Sequence, residues 1–220
     1  MPKKNNPGCT CCGGDVLIWL ASQDPSAPIP VDITDYDDLI GVYEDMGLTV
    51  HSDADWTGTI GNYGLVFVDT PYAAPSWWAT ATGGGWTGRI HLIAEYFPGG
   101  MTTDVTTWIN SVTGTTGLTL IEDDIDLGAL SSGSIETDDL TDGLTTALLY
   151  SYTSRVSGGT VLSKTATGSQ NWIAHNKSGT VDYVLSGDSN HLLDDQGDGQ
   201  PITPGSDNEL FAQNLWNVAV

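Results

Sequence analysis

The chain has 220 residues, of which 28 are acidic and only 6 are Lys or Arg, so its formal net charge is −22. A surface this negative repels nucleic-acid phosphates and anionic lipid headgroups, which excludes nucleic-acid binding. The 8 Trp, 8 Tyr and 3 Phe indicate a folded core. No apolar run reaches the roughly 20 residues of a membrane span, and no apolar stretch follows the N-terminal lysines. We therefore expect neither a membrane span nor a secretory signal.

The first half of the chain alternates between predicted strands and helices. Short apolar runs predict strands at 15–20, 48–51, 64–69, 89–96 and 118–121. A helix capped by Thr34 or Asp35 is expected to end near Met46, and a second helix is expected over 102–112. This alternation is typical of a doubly wound parallel sheet.

The second half has a different pattern. Strands separated by Gly-rich turns are predicted at 161–163, 171–175 and 181–186, and we expect them to form an antiparallel extension. A last helix is predicted over 206–218, with Ser206 or Asp207 as its cap. No linker is evident, so one domain over 15–220 is expected, preceded by a Cys-containing arm over 1–14.

Several motifs resemble class I glutamine amidotransferase-like domains over roughly Asp15 to Trp216. They are DVLIWL, GGGWTGRIHLIAEYFPGG, LTLIEDDID, YVLSGDSNHLLDD and DNELFAQNLW. The match is closest to a divergent, often non-enzymatic branch in which a GDSN-type loop precedes the last helix. The resemblance implies a flavodoxin-like three-layer α/β/α sandwich with a mostly parallel central sheet.

The catalytic residues of that family are missing. Its enzymes carry a nucleophilic Cys on the turn after the strand that matches 89–96, activated by a late His–Glu pair. The turn here reads Glu95, Tyr96, Phe97 and Pro98. The late loop reads Gly187, Asp188, Ser189 and Asn190, with His191 beyond it. The glutaminase mechanism therefore does not carry over, and the sequence predicts no enzyme.

All the cysteines lie near the start of the chain, at Cys9, Cys11 and Cys12. Their odd number prevents all of them from forming internal disulfides. Three interpretations stay open: free thiols in a tail, intermolecular disulfides, or a metal site for zinc or iron that needs a further ligand or several chains. The last two predict a homo-oligomer or a larger assembly.

Polar residues follow several predicted strands. The candidate ligand-binding residues are Asp69, Glu95, Asp188, Ser189 and Asn190, with the acidic run 122–126 beside them. Ligands of open α/β sheets bind beyond the carboxyl ends of strands, and oxygen ligands suit Ca²⁺ or sugar hydroxyls. The alternative is that these residues cap turns. The acidic turn 194–199 resembles part of a Ca²⁺ loop but lacks its spacing.

Four tryptophans fall in segments that read as loops. Trp56, Trp77, Trp78 and Trp86 are candidate interface or sugar-stacking residues, or else they cover the sheet. His91 lies inside a predicted strand and is expected to be a core residue.

These features favour a non-catalytic structural or assembly protein that self-associates through aromatic loops and the Cys arm. The lost nucleophile and missing signal suggest a virion component, such as a bacteriophage tail or capsid-surface protein, or an extracellular filament subunit, and otherwise a cytoplasmic location. One alternative is a carbohydrate- or Ca²⁺-binding surface module that takes a glycan. Another is a hydrolase that uses acidic residues at strand ends.

Overall fold

A computed structural model of the protein describes residues 14–20, 32–52, 56, 58–69, 74–94, 102–121, 131–145, 148–150, 153–189, 191–192 and 202–220. Its strands are β1 (Asp15–Leu20), β2 (Thr49–Ser52), β3 (Tyr63–Asp69), β4 (Gly88–Ile93), β5 (Thr119–Ile121), β6 (Ser131–Ser132), β7 (Ser134–Ile135), β8 (Leu149–Tyr150), β9 (Arg155–Ser157), β10 (Thr160–Lys164), β11 (Asn171–Ser178) and β12 (Val181–Ser186). Its α-helices are α1 (Asp37–Asp45), α2 (Trp78–Thr80), α3 (Thr102–Ser111), α4 (Thr113–Thr116) and α5 (Asp207–Asn217).

The main sheet has eight strands in the order β2-β1-β3-β4-β12-β11-β10-β7. From β2 to β12 neighbouring strands are parallel, and from β12 to β7 they are antiparallel. All residues of β3, β4 and β12 are buried, which is the pattern of strands covered on both faces. The predicted α/β fold, with a mostly parallel sheet and an antiparallel extension, is confirmed.

Two predicted strands pair differently from expectation. The strand expected at 118–121 forms β5, which pairs antiparallel with β9 in a separate two-stranded sheet. The strand expected to belong to the extension, β12, runs parallel to β4 and antiparallel to β11. Short apolar runs indicate that a strand forms, but they carry no information about its partner.

The two faces of the sheet build two apolar cores. Val16 and Ile18 of β1 point to one face, where α1 and α5 pack through Tyr43 and Phe211. Leu17 points to the opposite core, because side chains alternate along a strand. Trp78, Trp108 and Leu120 belong to that second core. Helices therefore cover the sheet on both sides.

Side-chain caps mark the start of α5 and of the 3₁₀ turn ahead of α1. Ser206 Oγ accepts a hydrogen bond from Glu209 N at 3.1 Å, which confirms Ser206 as the cap of α5. The cap expected at Thr34 or Asp35 is instead Asp32, whose carboxylate accepts from Thr34 N at 3.1 Å and starts a 3₁₀ turn ahead of α1. Across the described ranges, no helix is long and apolar enough to cross a membrane.

Candidate functional site

The carboxyl ends of the parallel strands converge on one edge of the sheet. Asp69 and Ser186 both lie in register with Ile93, so β3, β4 and β12 end side by side. Open α/β sheets bind ligands at this edge. Five polar residues there have no exposed surface, and we call them the carboxyl-edge cluster: Asp69, His91, Ser186, Asp188 and His191.

His91 contacts two other members of this cluster, Ser186 and His191. Its Nε2 lies 3.1 Å from Ser186 Oγ. The centroid of its ring lies 5.5 Å from that of Phe67 and 5.6 Å from that of His191. Burial lowers the pKa of His91 well below its usual range, and the charges of His191 and Arg89 act in the same direction. His91 is therefore a neutral imidazole in the core, as expected from its place in a strand.

His191 lies in an aromatic cage. Its ring centroid is 5.3 Å from that of Trp172, in an edge contact, and 6.1 Å from that of Phe211. Within the described residues neither ring nitrogen has a hydrogen bond of normal geometry. Burial lowers the pKa of His191 to about 3, although the Asp188 backbone opposes the shift. At neutral pH this ring is uncharged and packs as an apolar group.

The structure places three of the five predicted ligand-binding residues, Asp69, Asp188 and Ser189, at the carboxyl edge but inside the protein. Asp69 and Asp188 are 0% exposed, and Ser189 is 3% exposed. Glu95, Asn190, the run 122–126, the turn 194–199 and the three cysteines lie outside the described residues. Sequence reasoning missed Ser186 and His191 as members of the cluster. The signal for Ser186 was available, because it ends an apolar strand in the same way as Asp69.

Three of the four candidate interface tryptophans are core residues instead. Trp77, Trp78 and Trp86 are 3%, 6% and 4% exposed. Trp86 is fixed by a hydrogen bond from its Nε1 to Tyr63 O at 2.8 Å. Trp56 is partly buried and stacks on Tyr63 with ring centroids 5.9 Å apart. These segments read as loops, but they fold back over the sheet, so Trp77, Trp78 and Trp86 are almost fully buried while Trp56 is partly exposed.

A second polar group, the amino-edge network, lies at the opposite edge and consists of Arg89, Asp138, His175 and Asp182. Arg89 Nε donates to Asp182 Oδ2 at 2.8 Å, and both side chains are 1% exposed. The other Asp182 oxygen lies 3.0 Å from His175 Nδ1. His175 Nε2 lies 3.2 Å from Asp138 Oδ2. The network therefore links β4, β12, β11 and the turn at 138–141.

Arg89 also caps the carboxyl end of the last helix, α5. Its Nη1 donates to Leu215 O, and to Val218 O at 3.3 Å, at the carboxyl end of α5. A cation at this position satisfies free carbonyls and opposes the helix dipole. Burial acts to raise the pKa of Asp182, but the His175 hydrogen bond and the Arg89 charge outweigh it and lower that pKa.

An open groove of about 540 Å³ lies next to this network and is lined by 133–138 and 141–145. Its lining residues include Glu136, Asp138 and Thr141. Hydroxyls and carboxylates give the groove a polar character. No set of three or more His, Cys, Asp or Glu that could hold a metal ion occurs among the residues the structure describes.

No family model matches the sequence, and no curated protein matches it. The fold is similar to that of a β-galactosidase from Rahnella sp. R3 (TM-score 0.58, 14% identity, 93% of this chain and 31% of that one). It is also similar to a cytoplasmic protein from Salmonella typhimurium LT2 (TM-score 0.56, 10% identity, 93% and 97%). A putative ThuA-like protein from Bacteroides uniformis matches with TM-score 0.50 and 10% identity over 98% and 96% of the two chains.

At these identities the likeness shows the fold alone. The chain spans about a third of the length of the galactosidases it matches, 31% for the two from Bacillus circulans and Rahnella. The expectation of a viral, bacteriophage and metal-binding protein is contradicted, because the structural neighbours are glycosidases and ThuA-like proteins. The expectation of a virion protein was based on the acidic composition, the lost nucleophile and the missing signal, and none of these features is specific to virion proteins.

Proposed function

We propose that this chain is a non-catalytic, amidotransferase-like α/β domain with a structural role, which associates with further copies of itself. The observation that carries the proposal is the burial of the carboxyl-edge cluster. The edge where this fold class binds ligands is filled by neutral, buried histidines and aromatic rings. A general base must reach the substrate and titrate near the working pH, and His91 and His191 do neither.

The sequence supports the same proposal. No cysteine follows Cys12, so the strand-to-helix turn after β4 offers no thiol. The ThuA-like neighbour and the Salmonella protein match along nearly their whole length, which makes an amidotransferase-like domain a reasonable assignment for the complete fold.

Self-association is proposed from the position of the arm and from the edge of the sheet. The cysteines precede β1 in the sequence, and β1 lies next to β2, which is one of the two outermost strands of the main sheet among the residues that the structure describes. An edge strand presents unpaired backbone groups that another chain can pair with. Trp19 and Trp56 are partly buried and pack edge to face at 5.8 Å near this side of the sheet.

The native mass in solution tests self-association. Light scattering coupled to size-exclusion chromatography is run on the wild type with and without reductant, against a monomer mass of 23.2 kDa. The matched variant carries Cys9→Ala, Cys11→Ala and Cys12→Ala. We expect a multimer for the wild type that reductant and the triple variant both shift towards the monomer. A monomer under every condition overturns the proposal of self-association.

A separate assay tests the absence of catalysis. Nitrophenyl galactosides and mannosides are offered as substrates, because the neighbours include a β-galactosidase and an exo-β-1,4-mannosidase. No turnover above the buffer rate is expected. Turnover that disappears in Ser186→Ala would show that the carboxyl-edge cluster is an active site.

The groove at 133–145 favours a second candidate function, carbohydrate binding. Its hydroxyl and carboxylate lining matches the hydroxyl groups of a sugar. Galactose and mannose oligosaccharides titrated into ¹⁵N-labelled protein should shift the amides of 133–145 while those of β1 stay unchanged. Thr137→Val, at an exposed residue of the lining, serves as the matched variant. If the oligosaccharides shift no amide of this segment, the second candidate fails.

A further inference from the structure

The ring of His175 bridges carboxylates from two separate parts of the chain. Its Nδ1 lies 3.0 Å from Asp182 Oδ1 on β12, and its Nε2 lies 3.2 Å from Asp138 Oδ2 in the turn at 138–141. An imidazolium donates from both nitrogens, whereas a neutral imidazole donates from only one. Both contacts are therefore satisfied only when His175 is protonated. On loss of the proton, one carboxylate faces a bare nitrogen lone pair.

The two carboxylates differ in how firmly they are held. The side chain of Asp182 is 1% exposed and is held by Arg89 as well, so it cannot turn away. The side chain of Asp138 is 17% exposed and can reach water. Asp138 also organises its own turn, because its Oδ1 accepts from Leu140 N at 2.9 Å. Movement of Asp138 therefore moves the turn.

We propose that His175 is a proton-operated latch: as an imidazolium it holds the 138–145 segment on the amino edge of the sheet, and on losing its proton it releases that segment. The segment lines the groove at 133–145, so the latch sets the shape of the groove. The other side of the segment stays attached to α5, where Asn214 Nδ2 donates to Leu140 O at 3.1 Å and to Asp142 O at 3.0 Å.

The charges around the ring decide the direction of the switch. Asp182 faces it from β12 and Asp138 from the turn, while Arg89 of β4 lies behind Asp182. On β10 the residue paired with His175 is Thr160, which is uncharged. Burial acts to lower the pKa of His175, but the hydrogen bonds and charges of the two carboxylates outweigh it, so that pKa is raised from 6.5. The latch is fully engaged below that value and opens as pH rises through the raised pKa.

NMR on the full chain tests the latch with two readouts. The His175 Cε1–H shift reports its titration, and hydrogen exchange, corrected for intrinsic rates, reports the protection of the Leu140 amide. Attachment of the segment raises the His175 pKa. For each unit of that increase, we expect the protection of the Leu140 amide to fall about tenfold when His175 loses its proton. In His175→Gln, the corrected protection should not vary with pH.

Asp138→Asn is the second variant, and its result can be interpreted even if His175→Gln does not fold. Since coupling is reciprocal, removal of the Asp138 charge must lower the measured pKa of His175. Amides of β12 serve as the internal reference and should keep their protection. The proposal is overturned if His175 titrates without a change at Leu140, if it does not titrate at all, or if Asp138→Asn leaves its pKa unchanged.

Discussion

His191 makes the folded protein sensitive to acid, and His191→Phe should remove that sensitivity. The ring is fully buried between Trp172 and Phe211, and burial lowers its pKa to about 3 from its ordinary value of 6.5. A histidine with a lowered folded pKa binds its proton more readily in the unfolded chain. Its contribution to stability is therefore complete above pH 6.5 and is lost as pH falls towards the folded pKa.

The size of the loss follows from the two pKa values. Each unit of pKa difference is worth about 1.4 kcal/mol. Between about pH 7 and about pH 4, protonation of the unfolded chain at His191 alone destabilises the fold by about 3 kcal/mol. Phe has no titrating group and a similar ring, so His191→Phe should stay within about 1.5 kcal/mol of the wild type at neutral pH.

Urea unfolding followed by tryptophan fluorescence measures this difference. The free energy of unfolding is determined at several pH values for the wild type, His191→Phe and Phe211→Leu. The stability of His191→Phe relative to wild type should grow by about 3 kcal/mol over that pH range. Phe211→Leu disturbs the same packing without removing a titrating group, so its stability difference should stay constant. A constant difference for His191→Phe as well would refute the idea that folding holds this ring neutral.

Three further results are expected. Gly187→Ala places a Cβ 1.9 Å from a backbone carbonyl oxygen, so it should destabilise the fold by about 3 kcal/mol. Gly83→Ala meets no atom within 4 Å and should change the free energy of urea unfolding little. Arg89→Met leaves a buried carboxylate without its cation and should cost about 3 to 5 kcal/mol. Lys164→Met, in a pair whose side chains are 30% and 39% exposed, should cost less than about 1 kcal/mol by the same method. Salt should raise the melting temperature of a chain with a net charge of −22, since the Debye length falls from about 30 Å at 0.01 M to about 3 Å at 1 M. A melting temperature independent of salt would contradict this.

The main sheet and its last helix could be predicted from the sequence because their signals are local. The run that forms β1 is continuously apolar, and Ser206 precedes the amphipathic segment of α5 at the expected distance. The pairing of strands could not be predicted in the same way, because it depends on contacts between distant segments. Nothing in the three residues of β5 shows that they pair with β9 instead of extending the parallel sheet.

The positions of Asp69 and Asp188 at the carboxyl edge could be predicted, but their burial could not. The rule that polar residues follow parallel strands placed Asp69 and Asp188 at the carboxyl edge. Whether such residues face solvent depends on how the loops after the strands pack, and a sequence pattern does not report this. The same limit explains Trp77, Trp78 and Trp86, since a turn-rich segment gives no sign that it folds back over a sheet.

The histidines at the two edges of the sheet have pKa shifts of opposite direction, because His175 has charged partners and His191 has, among the described residues, none in contact with its ring. His191 has aromatic neighbours, so burial dominates and favours its neutral form. His175 is also partly buried, but two carboxylates compensate and favour its charged form. The stabilising effect of His191 is complete above pH 6.5, whereas that of His175 is complete below pH 6.5 and is lost progressively as pH rises towards its raised pKa. Because the stabilising effect of His191 is lost below pH 6.5 and that of His175 is lost above it, their joint maximum of stability lies near pH 6.5, and a pH at which the latch opens already lies on the falling side of the stability profile.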